Sequence, residues 1–138
     1  MVRVTIDDMI GQLHDVTRDG EPLLQDPVVR DQLVQAIMEE KALTLGDKRA
    51  HIGALTTDYP GSLPLSHKLR ATELTRRMRQ LAINLQGAAG GLYVGDGEAR
   101  QGGFWQRAYF NSFSATIGGG TSQVQTNIVA EHILGLPK

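Results

Sequence analysis

The chain contains no cysteine, so disulfides and thiolate metal sites are excluded, which fits a reducing compartment and makes the cytoplasm the default location. Neither charge is in excess. Lys+Arg number 14 against 15 Asp+Glu, a formal net charge of −1, and no global electrostatic footprint for nucleic acid results. Long apolar runs are missing too. The opening MVRVTIDDMIGQLHDV is acidic by position 7 and reads as neither signal peptide nor membrane anchor, and no other segment is long enough to span a bilayer. No nucleic-acid or membrane partner is expected.

Several catalytic patterns are also lacking. His14, His51, His67 and His132 show neither H-x-x-x-H nor H-E-x-x-H spacing, and without cysteine no zinc set can be completed. No metal site is expected. The acidic pairs Asp7-Asp8 and Glu39-Glu40 are sequence neighbours, so on a helix they diverge by about 100° and cannot share a proton. The stretch GGGTS has no lysine of the phosphate-binding loop type, which leaves nucleoside triphosphate binding unsupported.

What is present is helical periodicity. At 138 residues the chain is one domain's worth and can bury roughly 70% of its unfolded surface. Thr5 can cap a short helix with Ile6, Met9, Ile10 and Leu13 on one face, ending before the turn residues Asp19-Gly20 and Pro22. Asp26-Pro27 pairs an N-cap with proline at the first helical position and starts a helix from about 27 to 45, with Val29, Leu33, Ala36 and Ile37 as its apolar stripe. A continuation to Leu55 is left open. Residues 56–66 carry two prolines and a glycine and read as a loop. From about 66 to 86, Leu74, Met78, Leu81 and Leu85 recur at helical spacing. Lys68, Arg70, Arg76, Arg77 and Arg79 form a basic face expected to be solvated. Glycine then dominates residues 87–103, a long loop. Phe104, Trp105, Ala108, Tyr109 and Phe113 give a further helix with an aromatic, core-forming face. A last helix has Ser122 and Gln125 at capping-box spacing, Val124, Ile128, Val129 and Ile133 as its stripe, and Gly135 with Pro137 as its stop. No strand of any length is indicated. The fold class is all-α, an antiparallel bundle of four to five helices.

The glycine run before that last helix invites a ligand. Free N–H groups and the positive end of a helix dipole converge where Thr121, Ser122 and Gln123 begin the helix, a place suited to an anion or polar group. An ordinary glycine turn with a cap would carry the same spacing.

The ending IGGGTSQVQTNIVAEHILGLPK, residues 117–138, closely resembles the carboxy-terminal signature of acyl-CoA dehydrogenases. DPVVRDQL (26–33), SHKLRATELTRRM (66–78) and LQGAAGGL (85–92) are similar to corresponding parts of the branch with an extended glycine-rich loop. The resemblance covers nearly all of the chain. It implies the all-helical carboxy-terminal domain of an enzyme that uses FAD to dehydrogenate an acyl-CoA thioester, with the amino-terminal and middle domains outside residues 1–138. It places Thr121, Ser122 and Gln123 in an FAD-contacting segment. Asn84 and Gly87 fall where many members touch the FAD of a neighbouring subunit. Gly119 occupies the position at which many members carry a glutamate base, and it cannot take a proton, so no catalytic residue is assigned. Acyl-CoA and an electron acceptor are the implied partners of the complete enzyme, a homo- or hetero-oligomer. The isolated chain is expected to be inactive. The rival expectation is a non-catalytic helical module for assembly or regulation.

Overall fold

The computed structural model describes residues 5–55 and 62–137. Five helices account for most of it: α1 (Ile6–Leu13), α2 (Pro27–Ala50), α3 (Ser62–Asn84), α4 (Phe104–Ile117) and α5 (Ser122–His132). The all-α class is thereby established. The chain divides into two compact units, one drawn from Met1–Met38 and Arg77–Phe110, the other from Glu39–Arg76 and Asn111–Lys138. Three helices, α2, α3 and α4, therefore contribute a segment to each.

The first unit holds most of the buried apolar residues. Its α1 is closed by a reciprocal cap: the Thr5 hydroxyl oxygen accepts from the Asp8 amide at 3.1 Å, and an Asp8 carboxylate oxygen accepts from the Thr5 amide at 2.8 Å. Such a cap contributes on the order of 1 kcal/mol. Ile6, Met9 and Leu13 are buried as their spacing requires, together with Leu23, Val29, Leu33 and Ala36. At the start of α2, Asp26 accepts from the amides of Val28 (2.8 Å) and Val29 (3.3 Å), and Pro27 occupies the first position, where no amide partner is needed.

Between α1 and α2 lies a feature the sequence does not indicate, a strand pair of Thr17–Arg18 (β1) and Glu21–Pro22 (β2) in antiparallel register. Its cause is the turn. Asp19 (φ 54°) and Gly20 (φ 85°) both adopt positive φ, the condition for the hairpin turn whose twist matches paired strands. Two-residue strands are too short to show alternation, which is why the pattern was silent.

Helix boundaries differ from expectation in three places. The α2 helix continues through Gly46 to Ala50, because one glycine costs only about 1 kcal/mol in a helix interior. Lys48 and Arg49 near its end also suit the negative pole of the dipole. The α3 helix begins at Ser62, so the part of the expected loop from 62 to 66 is helical; residues 56–61 lie outside the described residues. Pro64 falls in its first turn, where a missing N–H breaks no bond. At its other end α3 stops at Asn84, two residues early. The stretch 87–103 is loop as expected, with two 3-10 turns within it, Gly87–Gly91 and Arg100–Gly103.

Two expectations about faces need correction. Of the aromatic face of α4, only Trp105 is deeply buried; Phe113 is 39% exposed and the adjoining Phe110 60%. Nor is the basic face of α3 simply solvated. Arg79 is buried and donates to the Ala108 carbonyl at 2.9 Å, and burial pulls its pKa below the ordinary arginine value.

Candidate functional site

The turn between α4 and α5 is built from Gly118, Gly119 and Gly120. The Gly118 amide donates back to Ser114 at 2.7 Å, and Gly120 donates to Ile117 at 3.1 Å. Gly119 and Gly120 take φ of 70° and 103°, a region in which side chains are strained. Space adds a second requirement at Gly120, where a Cβ would lie 2.7 Å from Gln125 Nε2. That amide donates to the Gly119 carbonyl at 2.6 Å, so a buried side chain from the first turns of α5 ties the glycine turn down. The Oε1 of Gln125 is buried and has no hydrogen-bond partner.

The cap of α5 sits one residue earlier than the expected Ser122–Gln125 box. Thr121 has extended backbone, and its hydroxyl accepts from the Val124 amide at 3.3 Å. With Thr121 in that role, Gln125 is free to reach the Gly119 carbonyl. The apolar stripe of α5 is correspondingly thin: Val124 is 47% exposed, and Gln125 is the buried residue of the helix.

Two side chains of α3 complete the cradle. Lys68 Nζ donates to the Gly120 carbonyl at 2.5 Å. Glu73 accepts from the Ser122 hydroxyl at 2.5 Å through one carboxylate oxygen, and through the other from Arg76 at 3.2 and 3.3 Å. Sequence reasoning missed both residues as site elements. They lie 52 and 49 positions from their partners, and only the resemblance of residues 66–78 touched on that helix.

The arrangement leaves polar capacity unused. Ser122 and Gln123 occupy the first two positions of α5, whose amides have no intrahelical acceptor; Gln123 is exposed at the surface. Thr121, Ser122 and Gln123 are thus brought together as one donor-bearing turn at the positive end of a dipole. Gly119 is exposed, and a Cβ built there meets only Lys68 Cε at 4.0 Å. A carboxylate at that position would lie beside an ammonium group and be held in its anionic form.

Asn84 and Gly87 belong to the other unit. Asn84 is exposed at the end of α3, and its Oδ1 accepts from Gln80 at 3.0 Å. Gly87 is exposed, with φ 60° and open space around a Cβ. Behind them a polar knot fixes the glycine-rich loop. Buried Gln106 donates through Nε2 to Gln86 Oε1 (3.3 Å) and to the carbonyls of Ala89 (3.3 Å) and Gly90 (3.2 Å).

Comparison with known proteins gives this geometry a context. The family model for "Acyl-CoA dehydrogenase, C-terminal domain" matches residues 1–134. The chain is 34% identical over 113 residues to acyl-CoA dehydrogenase IpdE1 of Mycolicibacterium smegmatis, covering 82% of this chain and 26% of that protein. The corresponding figures for IpdE1 of Mycobacterium tuberculosis are 33% identity, 82% and 28%. The chain therefore spans about a quarter of the length of these relatives. In fold it is similar to a chain of the ChsE4-ChsE5 complex from Mycobacterium tuberculosis, with a TM-score of 0.77 at 22% identity over 96% of this chain and 34% of that one. A chain of the Tcur3481-Tcur3483 steroid ACAD gives 0.76 at 24% identity, over 96% and 33%.

Proposed function

Because the chain belongs to the acyl-CoA dehydrogenase family, matched over residues 1–134 by the model of its carboxy-terminal domain, we propose that it is the carboxy-terminal domain of an FAD-dependent enzyme that desaturates acyl-CoA thioesters. The observation that carries this is the glycine turn at the start of α5. It offers open amides at Ser122 and Gln123, open space at Gly119, and a cradle fixed by Lys68, Glu73 and Gln125. These features fit a polyanionic cofactor: the residues that would hold FAD are Thr121, Ser122 and Gln123, with Asn84 and Gly87 as the contribution toward a neighbouring subunit's site. When bound, FAD supplies the hydride acceptor.

In this reading the glycine turn binds and orients; it does not supply the base. Removal of the α-proton needs a positioned carboxylate or comparable acceptor, and residue 119 is glycine. In this reading the base lies outside the glycine turn, and acyl-CoA and the electron acceptor meet the complete enzyme, a cytoplasmic homo- or hetero-oligomer. Multi-chain solved relatives support the oligomer. Gly119 also supports a second reading, a helical module that serves assembly or regulation without catalysis.

Flavin binding tests the assignment. The isolated chain should bind FAD weakly, because a few hydrogen bonds do not offset the roughly 4 to 15 kcal/mol of rigid-body freedom lost on association. In the enzyme reassembled with the remaining parts, changing Thr121→Ser and Gln123→Ala together keeps the cap oxygen, whereas Thr121→Ala with Gln123→Ala should weaken flavin retention by about 1 to 3 kcal/mol. Fluorescence titration reads both. Tight stoichiometric binding by the chain alone would overturn the reading of an incomplete site, and full retention in the double alanine variant would remove these residues from it.

A further inference from the structure

A cavity of about 210 Å³ lies in the first unit, lined by Met9, Gln12, Leu13, Val16, Ala82, Gln86, Arg100, Gln101 and Trp105. Its polar wall has a definite hydrogen-bonding sense. The Trp105 indole N–H, which can only donate, is bonded to Gln12 Oε1, so the Gln12 amide oxygen is committed and its NH₂ is the end left over. The same logic fixes Gln86. Gln106 Nε2 also donates to two main-chain carbonyls, which identifies it as the nitrogen, and its remaining contact must be the Gln86 oxygen. Gln86 is again left with its NH₂. Arg100 adds a guanidinium without an ion pair among the described residues. No carboxylate lines the space.

The wall is therefore rich in donors, two amide NH₂ groups and one guanidinium with the Gln101 side-chain amide beside them, over a floor of Met9, Leu13, Val16, Ala82 and the Trp105 ring. The backbone beside it is held in an unusual state. Gln101 adopts φ 52° and ψ 34°, followed by Gly102 at φ 60° and Gly103 at φ 75°. Strained backbone of this kind persists where the surroundings over-determine it, and such segments concentrate at ligand sites. Ala82 and Gln86 line the cavity while Asn84, about 200° away from Ala82 around α3 at 100° per residue, is on another face. Gln86 is buried, whereas Asn84 and Gly87, the residues of this unit assigned above to flavin, are exposed.

We propose that this cavity binds a small organic carboxylate with a short apolar body, its two oxygens taken by Arg100 and the Gln12 and Gln86 amides and its carbon chain by the Met9–Leu13–Val16 floor. A planar guanidinium beside amide donors suits a two-oxygen acceptor, and the apolar floor favours an aliphatic acid over a bare inorganic anion. The inference does not rest on the flavin reading, since FAD titration of the same chain is a separate measurement.

Trp105 is the only tryptophan in the chain, so its fluorescence reports on the cavity directly. Butyrate is the probe, with butyramide and butylammonium as isosteric neutral and cationic controls. Butyrate should give a saturable change, butyramide a much weaker one and butylammonium none. Arg100→Gln, at an exposed position, should weaken butyrate binding by about 10- to 100-fold, as expected for a lost hydrogen bond to a charged group, with an unchanged thermal melt. Gln86→Leu should weaken it while leaving Gln106 its two carbonyl partners. The proposal is overturned if butyrate shows no saturation at concentrations on the order of 10 mM, if butyramide binds equally, or if Arg100→Gln has no effect. It is also overturned if butyrate binding is lost on adding the rest of the enzyme, which would give the cavity to an acidic side chain of that part.

Discussion

At the scale of single residues, adjacent glycines with similar backbone angles have unequal reasons to be glycine. Gly119 needs its φ of 70° but has open space around it, whereas Gly120 needs φ 103° and also the 2.7 Å that a Cβ would take from Gln125 Nε2. Alanine at 119 should therefore cost only backbone strain, about 1 to 2 kcal/mol. Alanine at 120 should cost that strain and the Gln125–Gly119 hydrogen bond as well, about 2 to 4 kcal/mol altogether. Urea denaturation of the two variants checks the order, and equal losses would mean that Gln125 does not lock the turn. The same contrast bears on chemistry. A side chain at 119 can be accommodated sterically, so the absence of a carboxylate there reflects the residue type and not a lack of room, and Lys68 makes the position one that stabilises an anion.

Among the elements, α1 shows most directly how a local signal becomes stability. Its cap depends on an ionised Asp8, whose pKa is held below its ordinary value of 3.8 by the Thr5 amide first and the Thr5 hydroxyl second. A carboxyl lowered in the folded state contributes stability that is present above the unfolded pKa and is lost as pH falls through the folded value. Urea midpoints of the wild type and Asp8→Asn should accordingly differ near neutral pH and converge below pH 3.8; a constant gap would mean that the charge is irrelevant to the cap. The features legible in the sequence are of this local kind. Thr5, Asp26-Pro27 and the spacing of Ile6, Met9 and Leu13 act within one or two turns, so α1 and the start of α2 could be read directly, as could the start of α4. The start of α3 was hidden because a proline in a first turn looks like a breaker. The β1–β2 pair was hidden because its cause lies in two turn dihedrals. Lys68 and Arg79 looked like solvated charges and Glu73 carried no signal, since their partners Gly120, Ala108 and Ser122 are at least 29 positions away. The glycine turn before α5 was indicated by glycine content and resemblance, while the side chains that hold it, Lys68, Glu73 and Gln125, were not.

For the molecule as a whole, the balance of buried and exposed apolar residues is unusual. Val28, Met38, Leu45, Phe110, Ile117 and Leu134 are each 60–64% exposed, and eight further large apolar side chains exceed a third. Single exposed apolar residues are ordinary. Here, however, they recur on three of the long elements while the relatives run to about three times this length, so on the proposed reading covering surface is to be expected from the rest of the enzyme or from other subunits. Each such side chain gains up to about 1.5 to 3 kcal/mol if fully covered, and in isolation the chain should use a second copy for this purpose. Sedimentation at rising concentration should show self-association. Leu45→Glu combined with Ile117→Glu should shift the chain toward monomer with an unchanged helical circular dichroism spectrum, because both side chains are more than 60% exposed and leave the buried residues in place. Supplying the remaining parts of the enzyme should suppress the self-association of the unmodified chain by competing for the same surface. A clean monomer at high concentration would show that these side chains are tolerated in water and that the covering surface is not needed. Association unaffected by either glutamate would place the contact on some other face.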